Sequence, residues 1–296
     1  MMDEQESLKR VAAARALGRP CRLCPRLCKA DRLAGERGFC GIGERAVVAS
    51  AGPHFGEEPC LVGRGGSGAI FLAGCNLGCV FCQNADISRS AAGAEMDAAA
   101  LARLMLRLES RGCENVNFVT PTHVMPALAE AVVEARRRGL GVPVVWNCGG
   151  YESLGALRLL DGLVEIYMPD FKFILAASAE RYCRAPDYPQ RAREAVREMH
   201  RQAGDLVVEG GVARRGLLVR HLVMPGGGDE SREILDFLAS VSPRTCVNVM
   251  GQYRPCADVA HGEGWRRFAE IARAVTPAEV EEAREYARKL GLRLAD

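Results

Sequence analysis

Three cysteines fall within eight residues, Cys75, Cys79 and Cys82, in a glycine-containing loop that follows directly on the apolar run Ala69-Ile70-Phe71-Leu72. An apolar run of that length bounded by turn residues reads as a buried strand, so the thiols fall at its C-terminal end. Thiolates in a C-x3-C-x2-C spacing can hold an iron–sulfur cubane. Three of them leave its fourth iron without a protein ligand, the kind of open position a metal site keeps for a substrate or reactive cofactor. Zinc would want a fourth Cys or His close by, and structural free thiols rarely crowd three into so short a loop. The spacing points to a cluster open at one corner.

The pattern around this loop sets the fold class. Strand candidates at 69–73, 115–119, 142–147, 163–168, 217–223 and 245–250 alternate with helical periods, which predicts βα units on a parallel sheet. Leu101, Leu104, Met105 and Leu108 recur at i, i+3, i+4 and i+7 behind an Asp97 cap, and Gly112 closes that helix. Leu128 and Val132 continue a second helix that Gly139 ends; Ala192, Val196 and Met199 mark one after Pro189, and Ile234, Leu235 and Leu238 one after Asp229. Six such repeats are too few for a closed eight-stranded barrel. The expected fold is therefore α/β, a partial (β/α)6 TIM-like barrel with a small Cys-rich N-terminal lobe. Chemistry in such a barrel sits on the loops at the C-terminal strand ends. The expected division is a metal-binding lobe over 1–66, the barrel over 67–255, and a helical tail over 256–296 whose last helix opens near Thr276-Pro277.

Composition excludes more than it assigns. A net charge of +2 gives no reason to expect a nucleic-acid or membrane partner. The acidic start Met1-Met2-Asp3-Glu4 leads into no apolar stretch of signal length, and no segment approaches the ~20 apolar residues of a membrane span. A cytoplasmic location is the expectation. Thirteen cysteines in that setting read as metal ligands or reduced thiols, not a disulfide framework.

From about Cys21 to Tyr253 the chain resembles the radical S-adenosylmethionine (SAM) superfamily, and within it the iron–sulfur proteins related to pyruvate formate-lyase activating enzyme. The likeness is carried by Cys21-Arg22-Leu23-Cys24-Pro25-Arg26, the cysteine loop Gly74 to Asn84, Val119-Thr120-Pro121-Thr122-His123, Asn147-Cys148-Gly149-Gly150-Tyr151, Tyr167-Met168-Pro169-Asp170-Phe171-Lys172, Arg220 to Gly226, and Met250-Gly251-Gln252-Tyr253. The resemblance implies that SAM chelates the open iron of a [4Fe–4S] cluster through its amino and carboxylate groups. One electron from the cluster would cleave the sulfonium to methionine and a 5′-deoxyadenosyl radical, which takes hydrogen from a substrate. It implies an oxidoreductase acting on a protein backbone glycine, with a flavodoxin- or ferredoxin-like reductant. A different peptide or a small metabolite is the enzymatic alternative, and an iron–sulfur carrier or assembly factor the non-enzymatic one.

The resemblance also names residues. Phe81 matches the aromatic position near the adenine, with plain core packing as the alternative. Asp170 and Lys172 match the D-x-K motif by which activating enzymes hold SAM, and residues two apart on a strand project to one side; a surface ion pair is the simpler reading. Arg220 matches the basic residue that would neutralise the SAM carboxylate or meet a ribose oxygen. Asn147 stands where activating enzymes carry an Asp that helps to hold a monovalent cation. The Gly-Gly-Glu motif that takes the SAM amino group is replaced by Thr120-Pro121-Thr122-His123, whose hydroxyls and carbonyls lack a glutamate's charge assistance. His123 is a helix-start partner or a substrate contact, and His54 and Glu57 are candidates to face the site. In the lobe, Cys21, Cys24, Cys28 and Cys40 suit a second cluster or structural zinc. Either metal would supply folding free energy that so small a core lacks. Cys60, Cys113, Cys148, Cys183, Cys246 and Cys256 read as buried thiols, Cys148 being the one placed beside a strand-end glycine pair.

Overall fold

The computed structural model describes residues 4–295, so Met1 to Asp3 of the acidic start and Asp296 of the tail lie outside the described residues. In chain order the strands are β1 (Ala46–His54), β2 (Ser67–Leu72), β3 (Ala94–Met96), β4 (Asn115–Val119), β5 (Val144–Cys148), β6 (Ile166–Pro169), β7 (Val207–Glu209), β8 (Val212–Leu222), β9 (Cys246–Met250) and β10 (Arg293–Leu294). Strands β2, β4, β5, β6, β8 and β9 lie side by side in that order and every pairing among them is parallel. Each was anticipated within a few residues, and together they form the partial (β/α)6 barrel. The sheet does not close: its edges are β3 and β10.

Four strands extend this frame. β1 runs antiparallel to β2, so the chain between the lobe and the barrel is hydrogen-bonded into the barrel sheet. β3 adds to β1, β7 folds back on β8, and β10 lies parallel to β9. β3, β7 and β10 span two or three residues each, too short to show a period of two.

Capping fixes the helix starts. Asp97 accepts from Ala100 N–H at 2.8 Å to open Ala98–Ser110, and Thr276 with Glu279 forms a reciprocal capping box on Pro277–Lys289. Successive strand residues face opposite sides of the sheet. Trp146 and Tyr167, adjacent across β5 and β6, are buried on one side. On the other, Val145, Ile166, Leu218 and Cys246 form an apolar floor with Leu61. One step nearer the C-terminal strand ends, that inner side turns polar, with Asn147, Asp170, Arg220 and Asn248. An apolar floor beneath a polar mouth places the reactive surface where the loops are.

The N-terminal segment docks on the barrel. The helix Glu4–Ala16 packs on Met125–Arg137, where Arg15 and Glu130 pair at 2.6 Å. Arg26 donates from Nε to the Asn76 carbonyl at 2.9 Å, and buried Arg32 reaches the carbonyls of His123 and Gly43. Among the described residues, no helix is long and apolar enough to cross a membrane.

Candidate active site

The mouth of the barrel is built from charge pairs between strands that are far apart in sequence. Asp170 follows β6 and is bridged to Arg220 of β8. Its Oδ1 accepts from Arg220 Nε at 2.9 Å and its Oδ2 from Lys172 Nζ at 2.5 Å. Arg220 Nη2 donates to Asn147 Oδ1 at 2.6 Å, and Nη1 pairs with Glu57 at 3.5 Å. Burial opposes ionisation of Asp170, but Lys172 and Arg220 outweigh it and hold its carboxyl below the usual aspartate range. Burial likewise opposes the charge on Lys172, and Asp170 outweighs it, keeping the ammonium protonated far above neutrality. For Glu57 burial wins, and its carboxyl is raised despite Arg220.

Backbone and aromatic groups hold this end of β6. The Tyr188 hydroxyl donates to the Asp170 carbonyl at 2.9 Å and accepts from Lys172 N–H at 2.9 Å. Gly150, at φ +75°, passes so close that a Cβ there would stand 2.3 Å from the Asp170 carbonyl oxygen, so no larger residue fits the turn.

Facing these groups is the cysteine loop. Its thiols are cradled locally: Leu77 N–H points at Cys75 Sγ at 3.3 Å, and Cys82 Sγ lies 3.3 Å from Ser88 Oγ. The loop is tied to the helix Ala176–Cys183 through Gly78 N–H to the Cys183 carbonyl at 3.2 Å and Val80 N–H to the Tyr182 carbonyl at 2.9 Å. Cys75, Cys79 and Cys82 line a cavity of about 260 Å³ whose other walls include Phe81, Asn147, Asp170, Lys172 and Arg220. These eight are the barrel residues singled out in the sequence. Phe81 is also edge-on to Phe173 and Tyr253 at 6.0 and 5.8 Å, so one ring serves both the core and the cavity.

The donor set fits a cluster. Among the described residues no three His, Cys, Asp or Glu side chains are placed to hold a single metal ion, and the three thiols stand around a void. That is the arrangement needed to grip a polynuclear core at separate corners, and thiolate is the ligand such cores take. Cys183 stands beside Cys79 but is not part of the cavity wall, and the further thiol on that wall, Cys148, lies at the end of β5, outside the loop.

Residues 69–238 match the family model described as the radical SAM superfamily. The chain belongs to the radical SAM superfamily. It is 32% identical over 295 residues to the protein titled "Uncharacterized protein MJ0674" of Methanocaldococcus jannaschii, across 96% of this chain and 79% of that one. Its fold is similar to the crystal structure of Streptococcus suis SuiB, with a TM-score of 0.50 at 12% identity, over 74% of this chain and 46% of SuiB. The radical SAM methyltransferase TsrM of Kitasatospora setae, solved with cobalamin and a [4Fe–4S] cluster, aligns with a TM-score of 0.44 at 18% identity, over 62% of this chain and 36% of TsrM. The chain thus spans less than half the length of either. As a radical SAM enzyme it uses a [4Fe–4S] cluster and SAM.

Other sequence candidates settle in different places. Thr120 lines the radical SAM cavity with φ +62°, a left-handed conformation that a β-branched residue adopts only where the surroundings impose it; its N–H is held by the Asn147 carbonyl at 2.8 Å. Beyond it the chain turns away. Thr122 Oγ1 donates to buried Glu152, and His123 Nε2 bonds the Ala73 carbonyl at 2.8 Å, both outside the cavity wall. His54 stacks edge-on to Phe71 at 5.9 Å, and Glu57 sits against Arg220. Cys148 lines the cavity, as its strand-end position foreshadows. Cys183 is the neighbour that sequence reasoning missed. It follows Cys79 by 104 residues and carries no motif.

Proposed function

We propose that this radical SAM enzyme abstracts hydrogen from a backbone glycine of a partner protein, in the manner of a glycyl-radical activating enzyme. The observation that supports SAM binding here is the Asp170, Lys172 and Arg220 cluster on the wall shared with the three loop thiols, and the glycine substrate rests on the resemblance to activating enzymes. The cluster of charges combines cations suited to a carboxylate with a carboxylate suited to an ammonium, the two charges of an amino-acid cofactor. When bound, cluster and SAM supply a one-electron cleavage that yields a hydrogen-abstracting radical. The protein's part is positional. Lys172 and Arg220 hold charge at fixed points because Asp170 anchors both, Asn147 orients Arg220, and Phe81 adds an aromatic side chain to the same cavity wall. Buried strand ends and the apolar floor keep water from below the site.

The test is anaerobic reconstitution with iron, sulfide, SAM and a one-electron reductant, in the presence of extract proteins labelled with α-deuterated glycine. Deuterium in 5′-deoxyadenosine together with a protein-borne glycyl radical signal is the expected result. Robust SAM cleavage with deuterium arriving only from other labelled peptides or metabolites would overturn the glycine assignment and leave the superfamily chemistry intact.

A further inference from the structure

The lobe holds a second set of thiols that the radical SAM cavity does not use. Cys21, Cys24, Cys28 and Cys40 come together around one small void, also lined by Arg32, His123 and Asn76. Cys28 acts electrostatically on Cys21, and Cys21 and Cys40 act on Cys24. Gly38 is fitted to this arrangement: a Cβ there would stand 2.2 Å from Cys28 Sγ. On either side of Cys28, Leu27 and Lys29 both take positive φ, 45° and 59°, a costly backbone course.

The local cradle is the one seen in the radical SAM loop. There, the amide two residues on is directed at the sulfur, Leu77 at Cys75 and Asn84 at Cys82. In the lobe, the Leu23 and Arg26 amides stand at the same two-residue offset from Cys21 and Cys24 and favour their thiolate forms. Such N–H groups are placed to meet sulfur that carries negative charge.

Of the five buried side-chain polar atoms without a partner among the described residues, two belong to residues lining this void. Arg32 is 4% exposed, with Nε unbonded while its two terminal nitrogens reach carbonyls. His123 is 1% exposed; its Nε2 must donate to the Ala73 carbonyl, which leaves Nδ1 unbonded. The bare His123 Nδ1 is an acceptor, so the unmet donor at this void is Arg32 Nε–H, which points to an absent acceptor beside the four thiols. Four thiolates suit an iron–sulfur core or a tetrahedral ion, and the close run Cys21, Cys24 and Cys28 resembles a ferredoxin-type spacing.

We infer that the lobe binds a second [4Fe–4S] cluster, ligated by Cys21, Cys24, Cys28 and Cys40, with Arg32 Nε–H donating to one of its sulfurs. Cys28 is the exposed member, so its thiol is the one free to turn outward as the core enters. Asn76 lines this void while its neighbour Cys75 lines the radical SAM cavity. The two clusters would thus stand on opposite sides of one stretch of backbone.

The test is metal and sulfide analysis of the full chain after anaerobic reconstitution, which reads neither SAM cleavage nor substrate. Wild type should carry about eight irons and the variant C75A/C79A/C82A about four, with equal sulfide and a reducible cluster spectrum, counting four irons per [4Fe–4S] centre. C28S, altered only at the exposed thiol, should fall from about eight irons towards four while still binding SAM. Four irons in wild type, unchanged iron in C28S, or one zinc in place of iron and sulfide in C75A/C79A/C82A would each overturn the inference.

Discussion

The sulfurs of Cys79 and Cys183 lie 3.4 Å apart. A hydrogen bond from Cys183 brings the Cys79 thiol down to about 7, while burial sends Cys183 itself well up. Cys183 is therefore placed to donate to the sulfur of Cys79, a proposed cluster ligand, from outside the cavity, and hydrogen bonds to ligand sulfur are among the controls on cluster potential.

Cys183→Ala is accordingly expected to leave iron content unchanged and lower the potential of the radical SAM cluster. The loss of one hydrogen bond is worth about 1 kcal/mol, or about 40 mV for a one-electron couple. A redox titration followed by electron paramagnetic resonance reads it. An unmoved potential would reduce Cys183 to a packing residue, and loss of iron would make it a ligand.

Cys79→Ala, or the same change at Cys75 or Cys82, is expected to abolish reductive cleavage of SAM, since a cubane gripped at two corners loses its open-corner geometry. Chromatography of 5′-deoxyadenosine after anaerobic turnover is the measurement. An undiminished yield from Cys79→Ala would exclude the loop as the cluster site.

Asp170→Asn removes the carboxylate that both Lys172 and Arg220 share. Breaking a buried pair by removing one partner strands charge and costs about 3–5 kcal/mol, so the variant should unfold at markedly lower urea at pH 7. Because the folded carboxyl titrates below its unfolded value, the stabilisation is present above the unfolded pKa of about 3.9 and fades as pH falls through the lower folded value. The gap between wild type and variant should therefore narrow only in acid below about pH 4. A gap that is constant from pH 7 to pH 3 would mean that the charge pair contributes nothing.

Glu152 predicts the opposite slope. It is buried, with Thr122 as a hydrogen-bond partner, and burial raises its carboxyl from 4.5 to about 7. The unfolded chain then releases this proton at lower pH than the folded one, so wild-type stability falls as pH rises from about 4.5 to about 7. Over that interval the linked loss is on the order of 3 kcal/mol. Glu152→Gln should flatten this stretch of the pH profile in urea melts, and a profile unchanged by the substitution would place the group's titration elsewhere.

Sequence was most informative where function is local. Cys75, Cys79 and Cys82 are held within eight residues, so their spacing carries the cluster geometry before any folding. The strands β2 and β5 were legible because a buried parallel strand carries a continuous apolar run, here Ala69 to Leu72 and Val144 to Trp146. β3, β7 and β10 left no such signal, and the course of β1 beyond Ala49 was hidden because its second half is polar or small and only half-buried. The four lobe cysteines could be grouped from spacing alone, but their alternatives could not be ordered. Only the fold shows that the four share one void, and that Arg32 and His123 reach it from different parts of the chain.

Alternation of apolar runs and helical periods, with the cysteine spacing, determined by themselves that this chain is a partial barrel of the radical SAM type, since both are read over distances shorter than one βα unit. Tertiary structure alone decided which side chains meet. Arg220 reaches Asp170 and Asn147 across 50 and 73 residues, Cys183 backs Cys79 across 104, and Thr122 and His123 turn away from the cavity that Thr120 lines. The physical reason is register. A strand's period of two says which residues share a face, but only the pairing of neighbouring parallel strands says which face looks inward and which residue lies beside it.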